Sequence, residues 1–552
     1  MTRGGPLAFF ALPRLASSHA LPMIPEQGEL APAARRQLQA VAGLLGLAAL
    51  VLWAVQVWKE RFLSDDAFIS FRYADHLSRG LGLVWNAGER VEGYTNFLWV
   101  LLMAAGLRLG IAPEIGAQVL GIASGLALLG CTVWSGGSGP PGRLRGALLV
   151  LYLAAHGSFG AWCTSGLETM FFTLCVWLAT WRFLAERRTD ELSPFGSAAV
   201  FALAALTRPE GGLFAGLAGL LLLADVARGR ARLRTLVTWG LAFALPVGGH
   251  FLWRRAYYGE WLPNTFHAKV PGTWIEQGVS YLLLYERHYH ALLFVPLLLL
   301  AFLGRRKAEA ALLLAGLASY LAYVVAVGGD RFEFRFLVVV LPHFTWLVVE
   351  GAWSLALAGR TPAARRVLGP AAAALLLAFL IVTLRGYPPR SGPRRGVATV
   401  ESVREYARQR AYEGRFLRSY VESGVLPEDL VLCVGGAGAV PYYTRWTTVD
   451  RRGLNDAWIA HERDAPREYL VRRRVAVFDW QNRLILRRKL FDEITPSEHD
   501  GHPLALRAIR LGEMYFAFAT FVSDDELARL FPGQEILTPA PSDPGSGSGP
   551  GR

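Results

Sequence analysis

The chain has 552 residues, 53% of them hydrophobic against 18% charged, and carries a formal net charge of +13. That balance, with a mean hydropathy of +0.30 and apolar runs that recur at membrane-helix length, excludes a soluble enzyme and identifies a multispanning membrane protein. The arginines cluster in short loops between apolar runs, where orientation in a bilayer accounts for them better than nucleic-acid binding does.

From the N-terminus, residues 1–37 carry Arg3, Arg14, Arg35 and Arg36 and read as a cytoplasmic tail. The apolar run at 39–58 is long enough to remain an anchor rather than be cleaved as a signal peptide. Further candidate spans lie at 96–134, 144–157, 166–184, 195–207, 211–226, 235–253, 291–304, 308–327, 335–358 and 367–385. Some fall short of the ~20 residues a crossing needs, so flanking residues must contribute. Basic clusters at Arg35/Arg36, Arg143/Arg145, Arg182/Arg187/Arg188, Arg228/Arg230/Arg232/Arg234, Arg305/Arg306/Lys307 and Arg360/Arg365/Arg366 fall at every second connection. All can therefore be cytoplasmic together. The scheme requires 96–134 to make an odd number of crossings, although it looks like two spans around Arg108 to Pro113; a short or re-entrant piece is expected there. The expectation is a membrane domain over 38–385 with about eleven crossings and a first external loop at 59–95.

The other connections are then external. They hold Asp65 and Asp66, Glu168, Arg208 and Glu210, a 254–290 loop with Asn264 and Lys269, and Asp330 with Arg335. The segment 386–538 changes character, with a helix-like stretch at 400–422 and strand-like runs at 431–434, 475–480, 484–488 and 515–522. It is expected to form an extracytoplasmic α/β domain. The glycines at Gly435, Gly436 and Gly438 lack dinucleotide-binding spacing and read as a tight turn. Tyr442, Tyr443 and Trp446 suit either a glycan groove or a packed core edge. Residues 539–552 are rich in Pro, Ser and Gly and are expected to be disordered. Cys131, Cys163, Cys175 and Cys433 show neither zinc nor disulfide spacing.

Asp65 and Asp66 are two adjacent carboxylates just past a membrane helix, which are costly to desolvate there and so mark a site. Helix capping would need only one of them. An external compartment without nucleotide sugars or ATP calls for an activated donor delivered through the membrane, and polyprenyl-phosphate sugars meet that need. Transfer from such a donor requires a base for the acceptor hydroxyl and cations or a metal for the departing phosphate. Either aspartate suits the base; Lys269, Arg208 and Arg335 suit the phosphate, against a plainer reading as partners of Glu210, Asp330 or Glu333. Helical spacing after Asp66 would set Arg72 beside the carboxylates and keep them ionised. Asp65, Asp66, Glu168 and Glu210 could offer oxygen ligands to Mg2+, Mn2+ or Ca2+, so metal dependence stays open. Glu92 belongs to a turn with a structural or acceptor-shaping role, and Tyr94 suits either the membrane interface or sugar stacking.

The run Asp65 to Tyr73, with 82–86 and 88–99, resembles the first external loop of bacterial GT-C glycosyltransferases of the terminal β-arabinofuranosyltransferase (AftB-like) type. Ser165 to Thr169, Leu206 to Gly211, Leu262 to Thr265, Gly328 to Asp330 with Arg335, and 438–443 with 453–456 resemble later landmarks of that family. The resemblance covers about 60–460. It implies a GT-C membrane fold, a polyprenyl-phosphate sugar donor, Asp65 and Asp66 as the catalytic pair, and a C-terminal domain that helps bind a glycan acceptor. Arg72, Tyr73, Glu92, Tyr94, Asn96, Glu168, Arg208, Glu210, Asn264, Lys269, Asp330 and Arg335 are the expected substrate-binding set. The expected function is inverting transfer of a sugar, arabinofuranose among several candidates, to a cell-envelope glycan or lipid-linked acceptor at the outer face of the bacterial inner membrane. Rival readings are a lipid-linked sugar flippase, which would carry charge along several mid-span positions, and a non-catalytic receptor or scaffold.

Overall fold

The computed structural model describes residues 31–189, 196–269, 272–384, 396–479, 484–485, 498–499 and 502–539. Of the cytoplasmic tail expected over 1–37, residues 32–37 already belong to helix α1 and those up to 30 lie outside the described residues; of the disordered tail expected over 539–552, all but residue 539 lies outside them. The helices of the membrane part are α1 (Pro32–Lys59), α2 (Ala67–Ser78), α3 (Phe97–Arg108), α4 (Pro113–Ser135), α5 (Gly139–Ala155), α6 (Gly157–Ala161), α7 (Thr169–Thr189), α8 (Ser197–Thr207) and α9 (Gly211–Ala227). They continue with α10 (Leu233–Tyr258), α11 (Asn264–Lys269), α12 (Ile275–Tyr289), α13 (Val295–Leu300), α14 (Lys307–Ala326), α15 (Arg335–Val338), α16 (Leu341–Leu357) and α17 (Pro362–Leu384). Proline stands in the first turn of α1, α4 and α16, where its fixed φ suits the helix and its missing N–H costs nothing.

Among the described residues five helices are long and apolar enough to cross a membrane: α1, α4, α10, α14 and α17. A sixth is added if α12 and the helical stretch 291–303, bent by 75°, count as one span. The expected apolar segments are thus helical, but several are short. The 11 residues of α8 extend about 16 Å, half of a ~30 Å hydrocarbon core.

One end of the bundle is tied by ion pairs between the basic clusters and carboxylates: Arg145–Glu350 at 3.2 Å, Arg187–Asp225 at 2.7 Å and Arg306–Glu309 at 3.2 Å. The opposite end carries the C-terminal domain. Near its start α3 is held there by Trp99 Nε1, which donates to the Gly166 carbonyl at 3.1 Å. Six residues beyond its end, Glu114 in the first turn of α4 accepts from Tyr443 Oη of the C-terminal domain at 2.8 Å. Helix α3 therefore begins and ends on the same side, and α4 alone traverses, its terminal Ser135 carbonyl accepting from Arg306 at 2.6 Å. This is the short piece that the charge alternation required.

The C-terminal domain opens with α18 (Val400–Glu422), capped by Thr399, whose side chain accepts from the Ser402 N–H, one of the otherwise unpaired first-turn donors. Strands β1 (Val431–Val434), β2 (Thr447–Asp450), β3 (Val477–Asp479), β4 (Leu484–Ile485), β5 (Glu498–His499), β6 (His502–Pro503), β7 (Ala505–Leu511), β8 (Met514–Thr520) and β9 (Ile536–Leu537) follow, with α19 (Ala439–Thr444), α20 (Ala457–Glu462), α21 (Arg467–Arg472) and α22 (Asp524–Leu530) between them. The main sheet runs β2-β1-β3-β8-β7-β9, with β4 also on β8. Strands β2, β1 and β3 are mutually parallel and the β8 side is antiparallel. The β1–α19 connection lies against the first loop of the membrane domain.

Candidate functional site

Between α1 and α2 the chain turns at Asp65 and Asp66, and α2 begins only at Ala67 with no side-chain cap from Asp66. Neither carboxylate is therefore spent on capping that helix. The two point into different surroundings. Asp65 is buried, and its Oδ1 accepts from the Ala439 N–H at the start of α19 at 2.9 Å. Burial pushes its pKa up to about 6 against the opposing pull of Arg410 and the Ala439 bond. A Cβ at Gly438 would overlap both the carboxylate and the backbone carbonyl of Asp65, so that glycine is required for the two backbones to approach; one at Gly436 would meet the Tyr406 hydroxyl. Arg410 behind them is itself buried between Glu413 at 2.6 Å and Asp479.

Asp66 keeps 28% of its side chain exposed, and its Oδ1 accepts from Arg331 Nη2 at 2.8 Å. Burial alone would raise its pKa, but Arg331, Lys269 and Arg335 outweigh that effect and hold it below the usual carboxylate range. Lys269 keeps solvent contact, yet the surrounding protein lowers its pKa despite Asp66. Asp66, Arg331 and Lys269 therefore form one accessible cluster of charges, to which Arg335 adds a third cation. Arg335 is fixed by Asp330 at 2.6 Å and by the rings of Phe332 and Phe336 at 5.4 and 5.2 Å.

The remaining expected site residues build the frame. Arg72 is not beside the aspartates: the helix starts at Ala67, leaving both carboxylates in the turn before it, and the Arg72 guanidinium donates to the carbonyls of Trp85 (2.8 Å), Pro441 (2.5 Å) and Trp446 (2.8 Å) and to Asn86 Oδ1 (3.2 Å). It clamps the C-terminal domain to α2, and burial lowers its pKa to about 9. Tyr73 Oη accepts from Gly93 N–H at 2.8 Å and donates toward Val91 and Asn455. Asn264 Nδ2 donates to the Gly453, Leu454 and Asp456 carbonyls at 2.7 to 3.2 Å. Glu92 is paired with Arg254 at 2.6 Å and Tyr94 meets Tyr258 at 3.1 Å.

Asn96 bridges Ser70 and Glu168. Arg208 is held by Glu168 at 2.6 Å and Glu210 at 2.7 Å, so its charge is already balanced by two carboxylates and it is not the free cation expected for a phosphate. Of the aromatic candidates, Trp446 is buried and Tyr443 is engaged by Glu114 and Arg415. Arg331 was absent from the expected set; its nearness in sequence to Asp330 and Arg335 is the signal that could have found it. Arg410 and Asp479, far away in the chain, gave none.

Among the described residues no three His, Cys, Asp or Glu side chains group to hold a metal ion. Asp66 faces three cations and Asp65 a backbone N–H, a donor set that fits a carboxylate partnered by cationic side chains and does not fit Mg2+, Mn2+ or Ca2+ between the two.

A family model described as a domain of unknown function (DUF8728) matches residues 402–525, most of the C-terminal domain. The terminal β-(1→2)-arabinofuranosyltransferase of Mycobacterium tuberculosis is 32% identical over 273 residues, covering 47% of this chain and 42% of that protein. The enzyme of the same name from Corynebacterium glutamicum is 31% identical over 344 residues, covering 53% of this chain and 48% of that protein. Among solved structures, ArnT from Cupriavidus metallidurans bound to undecaprenyl phosphate is 15% identical with a TM-score of 0.49, over 74% of this chain and 85% of that one. The Archaeoglobus fulgidus oligosaccharyltransferase is 10% identical with a TM-score of 0.41, over 73% and 63%. The chain spans about half the length of the curated relatives it matches, and over that half it is similar to terminal β-(1→2)-arabinofuranosyltransferases.

Proposed function

We propose that the protein is a membrane glycosyltransferase of the GT-C type that moves a sugar, arabinofuranose being the first candidate, from a polyprenyl phosphate to a glycan or lipid-linked acceptor. The observation that carries this reading is the cluster in which a partly exposed Asp66, paired with Arg331, has Lys269 and Arg335 as its further cationic neighbours. The names of the relatives support the reaction class. The basic clusters gathered at the far end support a place for this cluster on the extracytoplasmic face of the inner membrane.

Asp66 acts as the base because reach precedes pKa in choosing one, and Asp65 is sealed under α19. The acceptor O–H gives its proton to the Asp66 carboxylate while the acceptor oxygen bonds to the anomeric carbon. The bond from that carbon to the phosphate oxygen breaks, and its electron pair leaves with the polyprenyl phosphate. With no protein nucleophile, the single displacement inverts the anomeric centre. Lys269 and Arg331 meet the charge that develops on the phosphate, so no metal is needed.

The test is transfer by the purified full chain with a panel of polyprenyl-phosphate sugars and arabinan-type acceptors. Product that forms in EDTA at the rate found without it supports the reading. Absence of product with every donor, from protein that remains folded, overturns it.

A further inference from the structure

Arg331 differs from the other arginines around the site. Arg335 and Arg208 are closed off, with side chains 13% and 12% exposed and carboxylate partners 8% exposed or less. Arg331 is 57% exposed and its partner Asp66 28%, so their ion pair is open to an incoming ligand. The backbone of Arg331 is anchored, since its carbonyl accepts from the Ala398 N–H at 2.8 Å. Its side chain can thus change partners without moving the loop.

We propose that Asp66 occupies the anion position of the donor phosphate in the resting protein, and that an isoprenyl phosphate arriving at Arg331 displaces it and frees its carboxylate for the acceptor hydroxyl. This deepens the glycosyltransferase reading and rests on it. A carboxylate and a phosphate oxygen compete for the same guanidinium with the same geometry. Losing Arg331 and gaining a phosphate neighbour both favour the protonated form of Asp66, so donor arrival turns a weak base into a stronger one. After transfer Asp66 is neutral and does not compete with the leaving phosphate. Loss of its proton to water restores the pair with Arg331 and helps expel the phosphate.

The experiment titrates farnesyl monophosphate, and inorganic phosphate in a parallel arm, into the full-length protein in nanodiscs, following intrinsic tryptophan fluorescence. Wild type is compared with D66N, R331Q and the double variant, each checked for folding by thermal melting. D66N is expected to bind farnesyl phosphate about 5- to 10-fold tighter than wild type, the scale of one charge partner removed beside an anion. R331Q should bind it weaker by at least as much, and in the double variant the tightening should vanish. Binding by D66N no tighter than wild type, or tightening that persists without Arg331, overturns the displacement while leaving the donor reading intact. Inorganic phosphate bound as tightly as farnesyl phosphate overturns the assignment to a lipid headgroup. No binding of farnesyl phosphate by any form overturns the donor reading itself and the displacement with it.

Discussion

At Asp65 and Asp66 two identical side chains on neighbouring residues meet opposite electrostatics, and their substitutions should separate accordingly. Asp65 is buried with a raised pKa of about 6, so an uncharged isostere that still accepts from Ala439 relieves a desolvation cost. D65N is expected to melt at or above the wild-type temperature, whereas D65L, unable to accept from Ala439, should melt lower. Glu333 makes a comparable prediction. It accepts from Ser158 Oγ at 2.6 Å and Trp162 Nε1 at 3.1 Å, and burial raises its pKa to about 7. The folded state therefore holds a proton that the unfolded chain releases near 4.5, and stability falls as pH rises between those values. Melting curves from pH 4.5 to 7.5 should show that fall, and E333Q should flatten it; a wild-type melting temperature that climbs through this window contradicts the assignment.

Among the elements, the β1–α19 turn does the most to place the site. Its glycines are visible in the sequence as a tight turn, but the reason for Gly438 is not, because Asp65, which excludes a Cβ there, is distant in the chain. G438A is expected to destabilise the protein by about 1–3 kcal/mol, read as a lower melting temperature together with faster limited proteolysis of the full chain. Unchanged protease resistance would show that the close approach is not needed. Helix α18 was legible over its whole length, Val400–Glu422, because it is amphipathic with an N-cap at Thr399. The short piece α3 was legible from charge alternation alone. Arg72 was misplaced because a helical period was run from Asp65, whereas the turn at 65–66 resets the phase. Many residues that carry the family resemblance, Tyr73, Asn86, Asn264 and Asn455 among them, join the two domains. Sequence patterns alone do not distinguish a residue that touches substrate from one that holds the part that does.

For the molecule as a whole, the C-terminal domain seals Asp65 from behind through the Ala439 N–H, and Arg72 is its principal clamp. A buried guanidinium that donates to four acceptors cannot be replaced by an ammonium with three donors. R72K is expected to cost about 2–4 kcal/mol and to lower turnover through loosened docking, with less effect on the melting of the membrane helices; a turnover equal to wild type would argue that docking is not required. The two ends of the bundle also differ in what they must face. Cysteines placed at exposed Ser423 and exposed Leu357 should react with an impermeant thiol reagent in intact cells at position 423 only.

In the proposed mechanism the accessible aspartate in the cationic cluster does the chemistry and its sealed neighbour does not. Single-turnover transfer by folded D66N and D65N, side by side with wild type, measures it. The expected result is a loss of about 10²- to 10⁴-fold in D66N and a rate within about tenfold of wild type in D65N; the reverse order, or transfer undiminished in D66N, would contradict Asp66 as the base.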